Sequence, residues 1–171
     1  MAIISSLEKN QVDEIAKAVY ESFEEKTGKV PEWVKVMAHQ PKILKEFTEL
    51  FKVIMGEGKI EPLLRWKIAF VVSNSLKCPF CVDVTGKMLK ILGASEEVIE
   101  RIKKEKDLPA GEKEILQLVK EVTLKAYVCT PKVFEKLKKS LNEEEIVEIV
   151  SIIGLFNYIN RFNNTFCILP G

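Results

Sequence analysis

Cys78 and Cys81, separated by Pro79 and Phe80, are the residues of this chain best suited to chemistry. Two residues between cysteines at a helix start let the sulfurs approach within bonding distance. Pro79 at the first helical position costs nothing, because that N–H has no partner in the helix anyway. The pair then sits at the positive end of a helix dipole, where a thiolate is stabilised and a thiol gains reactivity. On that argument alone Cys78 is the more activated of the two. Three readings compete: dithiol redox chemistry, half of a zinc site, and two buried cysteines acting as small hydrophobes. Zinc needs two more ligands, yet Cys129 and Cys167 are isolated and the single histidine, His39, is remote in sequence. No metal is therefore expected. The turn that Pro79 demands favours reactive thiols over inert ones. A thioredoxin fold is not expected, because no βαβ pattern surrounds the pair.

The 171 residues fit one domain, 1–171, and carry 26 Lys+Arg against 25 Asp+Glu, a net charge of +1. A balance so close to zero argues against nucleic acid or a membrane surface as the main partner. Hydrophobic residues at 47% and charged residues at 30% make an ordinary globular mixture. The start of the chain turns charged at once, without the apolar segment of a secretion signal. The longest unbroken apolar run, Ile68 to Val72, is far short of the roughly 20 residues of a membrane span. A cytoplasmic location is expected, where close cysteines are seldom structural staples.

The elements that must position the pair are helical nearly throughout. Apolar spacing predicts helices over 7–26, 31–39, 42–55 and 61–76, with Gly28, Pro31, Pro41 and the Gly56–Gly58 stretch between them. Ile68 to Val72 is apolar all round and should be buried. The cysteine motif opens the next helix, which runs to about Leu92 and is closed by Gly93. Ser95 caps a short helix to about Lys104. Further helices follow over 110–128 and from Thr130-Pro131. The last, opened by a capping box of Asn142 and Glu145, should again be central. The segments 61–85 and 143–166 share one pattern, acidic, then apolar, then polar, through weak duplication or chance. About nine helices and no strands give an all-α, multi-helix bundle.

The stretch Leu64 to Thr85, which contains Cys-Pro-Phe-Cys, resembles the core motif of the alkyl hydroperoxidase D / carboxymuconolactone decarboxylase family. Met37 to Phe47, Leu108 to Lys113, Leu141 to Ile146 and Asn157 to Phe162 are similar to its other segments, so the resemblance spans about residues 30–166. It implies an all-α fold in a homo-oligomer, a trimer or hexamer. It implies thiol-dependent peroxidase activity with Cys81 attacking and Cys78 resolving. It implies no bound cofactor and an external reductant, a dithiol reductase or a lipoyl or thioredoxin-like partner.

The sequence also departs from the family's pattern. Where peroxidases of the family carry a glutamate, twelve residues before the first cysteine, this chain has Trp66. Where they carry histidines it has Phe80 and Thr85. General acid–base help contributes about 10²–10⁴-fold, so an attenuated peroxidase is expected. Trp66 and Thr85 remain supporting candidates, as does Asp83, the nearest carboxylate. Two residues along a helix point about 200° apart, however, which turns Asp83 away from Cys81 and suggests a buried ion pair with Arg161. His39 reads as a capping or surface histidine, and Asn160, Asn163 and Asn164 as makers of helix-end hydrogen bonds. The alternative to a redox protein is a non-peroxidase member: a decarboxylase-like protein, or a structural oligomer with a vestigial cysteine pair.

Overall fold

The computed structural model describes residues 2–125 and 131–170. Among them, nine α-helices follow a short 3-10 turn, and no strand occurs. They are α1 (Glu14–Thr27), α2 (Glu32–Met37), α3 (Pro41–Met55), α4 (Pro62–Ser75), α5 (Pro79–Ile91), α6 (Glu96–Lys104), α7 (Ala110–Lys125), α8 (Pro131–Leu137) and α9 (Glu143–Thr165). The all-α expectation holds. The first helix starts later than its apolar spacing suggests, because the Asp13 side chain caps the backbone N–H of Ala16 and fixes the start there. Gly28 ends it in the left-handed conformation that a side chain disfavours. Ser95 caps α6, and Asn142 and Glu145 form the expected reciprocal box. Thr130 and Cys129 lie outside the described residues.

α4 is the centre of the bundle and packs against α5, α7 and α9. Ile68 to Val72 is buried on every side, as its unbroken apolar character requires. α9 contributes Ile149, Ile152, Ile153 and Phe156 to the same apolar cluster, which also takes in α1, α2 and α3. Val147 and Val150, by contrast, face outward.

α4 and α9 run side by side in the same direction, and polar contacts lock both ends. At the start, the guanidinium of Arg65, only 2% exposed, pairs with Glu148 at 2.6 Å. The same guanidinium donates to the carbonyls of Ile60 at 2.7 Å and of Gly56. Glu148 in turn accepts the backbone N–H of Lys59 at 2.8 Å. Gly58 closes this knot. A Cβ there would meet Arg65 Nη2 at 2.5 Å and Glu148 Oε1 at 2.6 Å, so only glycine fits without displacing the pair. At the far end, Asn160 donates to Ser73 Oγ at 3.3 Å and Asn164 to the carbonyl of Leu76 at 3.0 Å.

Removing one member of a buried ion pair leaves the other charged and unsolvated, at a cost of about 3–5 kcal/mol. Glu148→Ala, which strands the buried Arg65 charge, is expected to lose stability on that scale in denaturant unfolding. Gly58→Ala, which changes no charge, should lose about 1–3 kcal/mol through crowding. A Gly58→Ala protein as stable as the parent would refute the close approach.

Candidate functional site

Cys78 is the N-cap of α5, and Pro79 is its first residue. The chain reaches this cap through Lys77, which takes a left-handed conformation, φ 52°. The Cys78 N–H is bonded to the carbonyl of Ser73 at 3.2 Å, which anchors the turn to the end of α4. The two sulfurs lie 2.8 Å apart as free thiols, and both residues are buried. The backbone N–H of Cys81 points at the sulfur of Cys78 at 3.4 Å, in the place a capping oxygen usually occupies.

This geometry sets the protonation of the pair. The hydrogen bond from the Cys81 side chain holds the Cys78 thiol below its ordinary pKa, helped by the backbone N–H groups of Cys81 and Phe80 and opposed by burial. The same partnership pushes the Cys81 thiol well up, and burial adds to the rise. The geometry therefore favours a thiolate at Cys78 over one at Cys81.

Cys81, not Cys78, faces a cavity of about 650 Å³. Around that sulfur the wall is formed by Trp66, Phe80, Thr85, Phe156 and Asn163. Asn163 is wholly buried and donates to Cys81 Sγ at 3.3 Å, while its own Oδ1 has no partner. Thr85 Oγ1 is turned to the carbonyl of Cys81 at 2.6 Å, the usual bond of a threonine within a helix, and offers the sulfur nothing. Trp66 packs edge-on against Phe156 with ring centroids 6.1 Å apart. Of the residues singled out from the sequence, Cys78, Cys81, Trp66, Phe80 and Thr85 thus converge.

Others do not. Asp83 pairs with Lys87 at 2.7 Å, one turn along the same helix. Arg161 is exposed and donates to Asn157. The expected Asp83–Arg161 ion pair is therefore absent, and the buried pair is Arg65–Glu148 instead. His39 is exposed and bonded to the carbonyl of Ser5 at 2.9 Å. Among the described residues, no group of three or more His, Cys, Asp or Glu side chains could hold a metal ion. No described helix is long and apolar enough to cross a membrane. Asn163 is a residue whose role the sequence reading misplaced: it donates to the Cys81 sulfur rather than capping its own helix end.

No family model matches the chain, and no curated protein matches it by sequence. Solved structures do. The alkylhydroperoxidase AhpD core of an uncharacterized peroxidase-related protein from Ralstonia eutropha JMP134 aligns with a TM-score of 0.89 at 21% identity, over 99% of this chain and 92% of that one. An uncharacterized peroxidase-related protein from Silicibacter sp. TM1040 gives 0.84 at 25% identity, over 98% and 92%. A cysteine-to-alanine form of the debrominase Bmp8 in complex with 2,3,4-tribromopyrrole gives 0.84 at 19% identity, over 100% and 94%. The chain thus has the alkyl hydroperoxidase D-like fold, and these structural relatives support the resemblance drawn from its sequence.

The two thiols should titrate far apart. Ultraviolet absorbance of the thiolate is expected to show one group ionising below the ordinary thiol value. Cys81→Ala removes the strongest cause of that shift, so the Cys78 titration should move upward. A Cys78 pKa unchanged in Cys81→Ala would contradict the bond between the sulfurs.

Proposed function

We propose that this chain, built on the alkyl hydroperoxidase D-like fold, is a thiol-dependent peroxidase or thiol–disulfide oxidoreductase acting through Cys78 and Cys81. One observation carries the reading: two buried free thiols 2.8 Å apart at a helix N-terminus, one of which opens on a cavity. Two buried hydrophobes would need neither the cap geometry nor the access.

The steps balance as follows. A proton passes from Cys81 to Cys78, and the Cys81 thiolate attacks the outer oxygen of a hydroperoxide. An S–O bond forms and the O–O bond breaks. The leaving alkoxide takes from solvent the proton that the pair gave up when it ionised, and departs as the alcohol. Cys78 then attacks the sulfenic sulfur, an S–S bond forms, and water leaves. Two thiols are oxidised and one peroxide is reduced. An external dithiol, a lipoyl or thioredoxin-like group or its reductase, restores the pair. The sulfur that must attack is the one whose thiol is pushed up, so Cys81 has to pass its proton to Cys78, 2.8 Å away, before it attacks. Asn163 stands beside that sulfur as a neutral donor. The relay positions hold Trp66, Phe80 and Thr85 instead of ionisable groups, so the rate is attenuated by part of the roughly 10²–10⁴-fold that acid–base help supplies.

A trimer or hexamer, as the sequence resemblance implies, and the reducing, cytoplasmic setting expected from the sequence itself accompany this proposal. The second reading, a non-peroxidase member with a vestigial pair, draws on those same three positions. One fold hosts several chemistries, a debrominase among them, and so does not choose the oxidant.

A hydroperoxide added to the reduced protein is expected to join Cys78 to Cys81, read by mass spectrometry after alkylation. Cys78→Ser should halt at a sulfenic acid on Cys81 that dimedone traps, and Cys81→Ser should give none. If the wild-type thiols oxidise no faster than free cysteine, the second reading stands. A sulfenic acid on Cys78 in Cys81→Ser would reverse the roles.

A further inference from the structure

We propose that the cavity beside Cys81 binds an amphipathic anion, its apolar body against the aromatic wall and its charged group at Lys26 and Lys45. Taken with the dithiol reading, on which this second step rests, the substrate is a hydroperoxide of an apolar carboxylic acid rather than hydrogen peroxide or a neutral alkyl peroxide.

The cavity, about 650 Å³, falls within the roughly 300–1,000 Å³ usual for small-molecule sites. Its wall is far larger than a two-oxygen oxidant could fill. Phe23, Trp33 and Phe47 form an edge-to-face series, with centroids 5.6 Å apart at each step, and carry the apolar lining from the thiol side toward α1. Each methylene group of an apolar chain buried here adds to affinity.

Charge is confined to one part of the lining. Lys26 on α1 and Lys45, Glu49 and Lys52 on α3 supply it, and all four are exposed, which places them at the mouth. Glu49 is taken by Lys52 at 2.6 Å. Lys45 has only a 3.9 Å contact with Glu46, both well exposed. The rim therefore offers an excess of positive charge, from three lysines against one carboxylate. The lysine fields also converge: Lys52 first, then Lys45 and Lys26, hold the Glu49 carboxyl below its ordinary pKa.

The inner end asks for something different. Asn163 Oδ1, wholly buried beside the sulfur, lacks a donor. A buried acceptor without a partner is unfavourable, and an O–H group brought by the ligand would satisfy it. A hydroperoxide group supplies that O–H and sets its oxygens next to Cys81. An anion at the mouth, an apolar body along the wall and an O–H at the thiol match the three zones in order.

Trp33 and Trp66 are the only tryptophans of the chain, and both line the cavity. Intrinsic fluorescence therefore reports occupancy directly. The full-length protein would be titrated, below micelle formation, with dodecanoate, dodecanol and dodecyltrimethylammonium. Dodecanoate is expected to give a saturable change and to bind more tightly than dodecanol, with the cation weakest. The double variant Lys26→Ala, Lys45→Ala should weaken dodecanoate by about 3- to 10-fold and dodecanol by less than about twofold. Added salt should weaken only dodecanoate. The double variant Cys78→Ser, Cys81→Ser should still bind, so failure of the thiol chemistry would leave the binding site standing and remove only the substrate assignment. Equal binding of anion and cation, the same loss for dodecanoate and dodecanol, or no saturable signal would overturn the proposal. So would lysine substitutions that change the oligomeric state while leaving affinity alone, because a second copy would then be the occupant.

Discussion

The alignment of α4 with α9 governs everything at the site, and the buried Arg65–Glu148 pair sets it. Two parallel apolar helices can slide along each other at little hydrophobic cost, because apolar burial has no direction. A guanidinium that must meet a carboxylate and two backbone carbonyls at once permits one register. Such pairs add little net stability, since desolvation offsets most of the attraction. Their effect is to make misaligned states expensive. Here the register matters far from the pair itself. It delivers Asn160 to Ser73, Asn163 to Cys81 and Asn164 to the Leu76 carbonyl, at the opposite ends of the two helices. α9 holds the thiols in place although it contributes none.

The two sulfurs divide the demands of redox chemistry between them. Helix N–H groups and the Cys81 thiol favour a thiolate at Cys78, yet Cys78 is fully buried. Cys81 faces the cavity, and its thiol is the one pushed up. The sequence argument from the helix dipole and the family-based role for Cys81 thus describe different properties. The first concerns where negative charge is stable, and the second concerns which sulfur an oxidant can reach. A sulfur–sulfur contact of 2.8 Å reconciles them, because a proton can pass within the pair without exchange with solvent.

Much of the framework was legible in the sequence. Apart from the start of the first helix, apolar spacing, proline at helix starts and the Asn142–Glu145 box located the helices to within a few residues, because these are local effects. The all-round apolar stretch Ile68 to Val72 correctly marked the central helix. The tertiary polar contacts were not legible in the same way. Arg161 looked like the buried charge because it sits among apolar neighbours, yet helix rotation turns it outward to Asn157. Arg65 and Glu148 look like ordinary charges in the first turns of their helices, and only the packing of α4 on α9 buries them. Asn160, Asn163 and Asn164 carried a usable signal. They share one face of a long apolar helix at spacings of three and four, and a polar stripe there implies partners on a neighbouring helix.

The polar groups around the dithiol also explain why so apolar a site can hold ionisable sulfur. A buried thiolate without partners would be pushed toward the neutral thiol by desolvation, and that effect opposes ionisation at both cysteines. The structure counters it with backbone N–H groups at Cys78 and a neutral amide at Cys81, not with a lysine or histidine. Dipoles of this kind stabilise charge without adding charge of their own, so the cavity wall stays apolar up to the sulfur. Trp66, Phe80 and Thr85 bring no ionisable group to that wall, and the first two extend its aromatic lining. On the proposed reading, a slower thiol and a cavity suited to an apolar ligand follow from the same side chains.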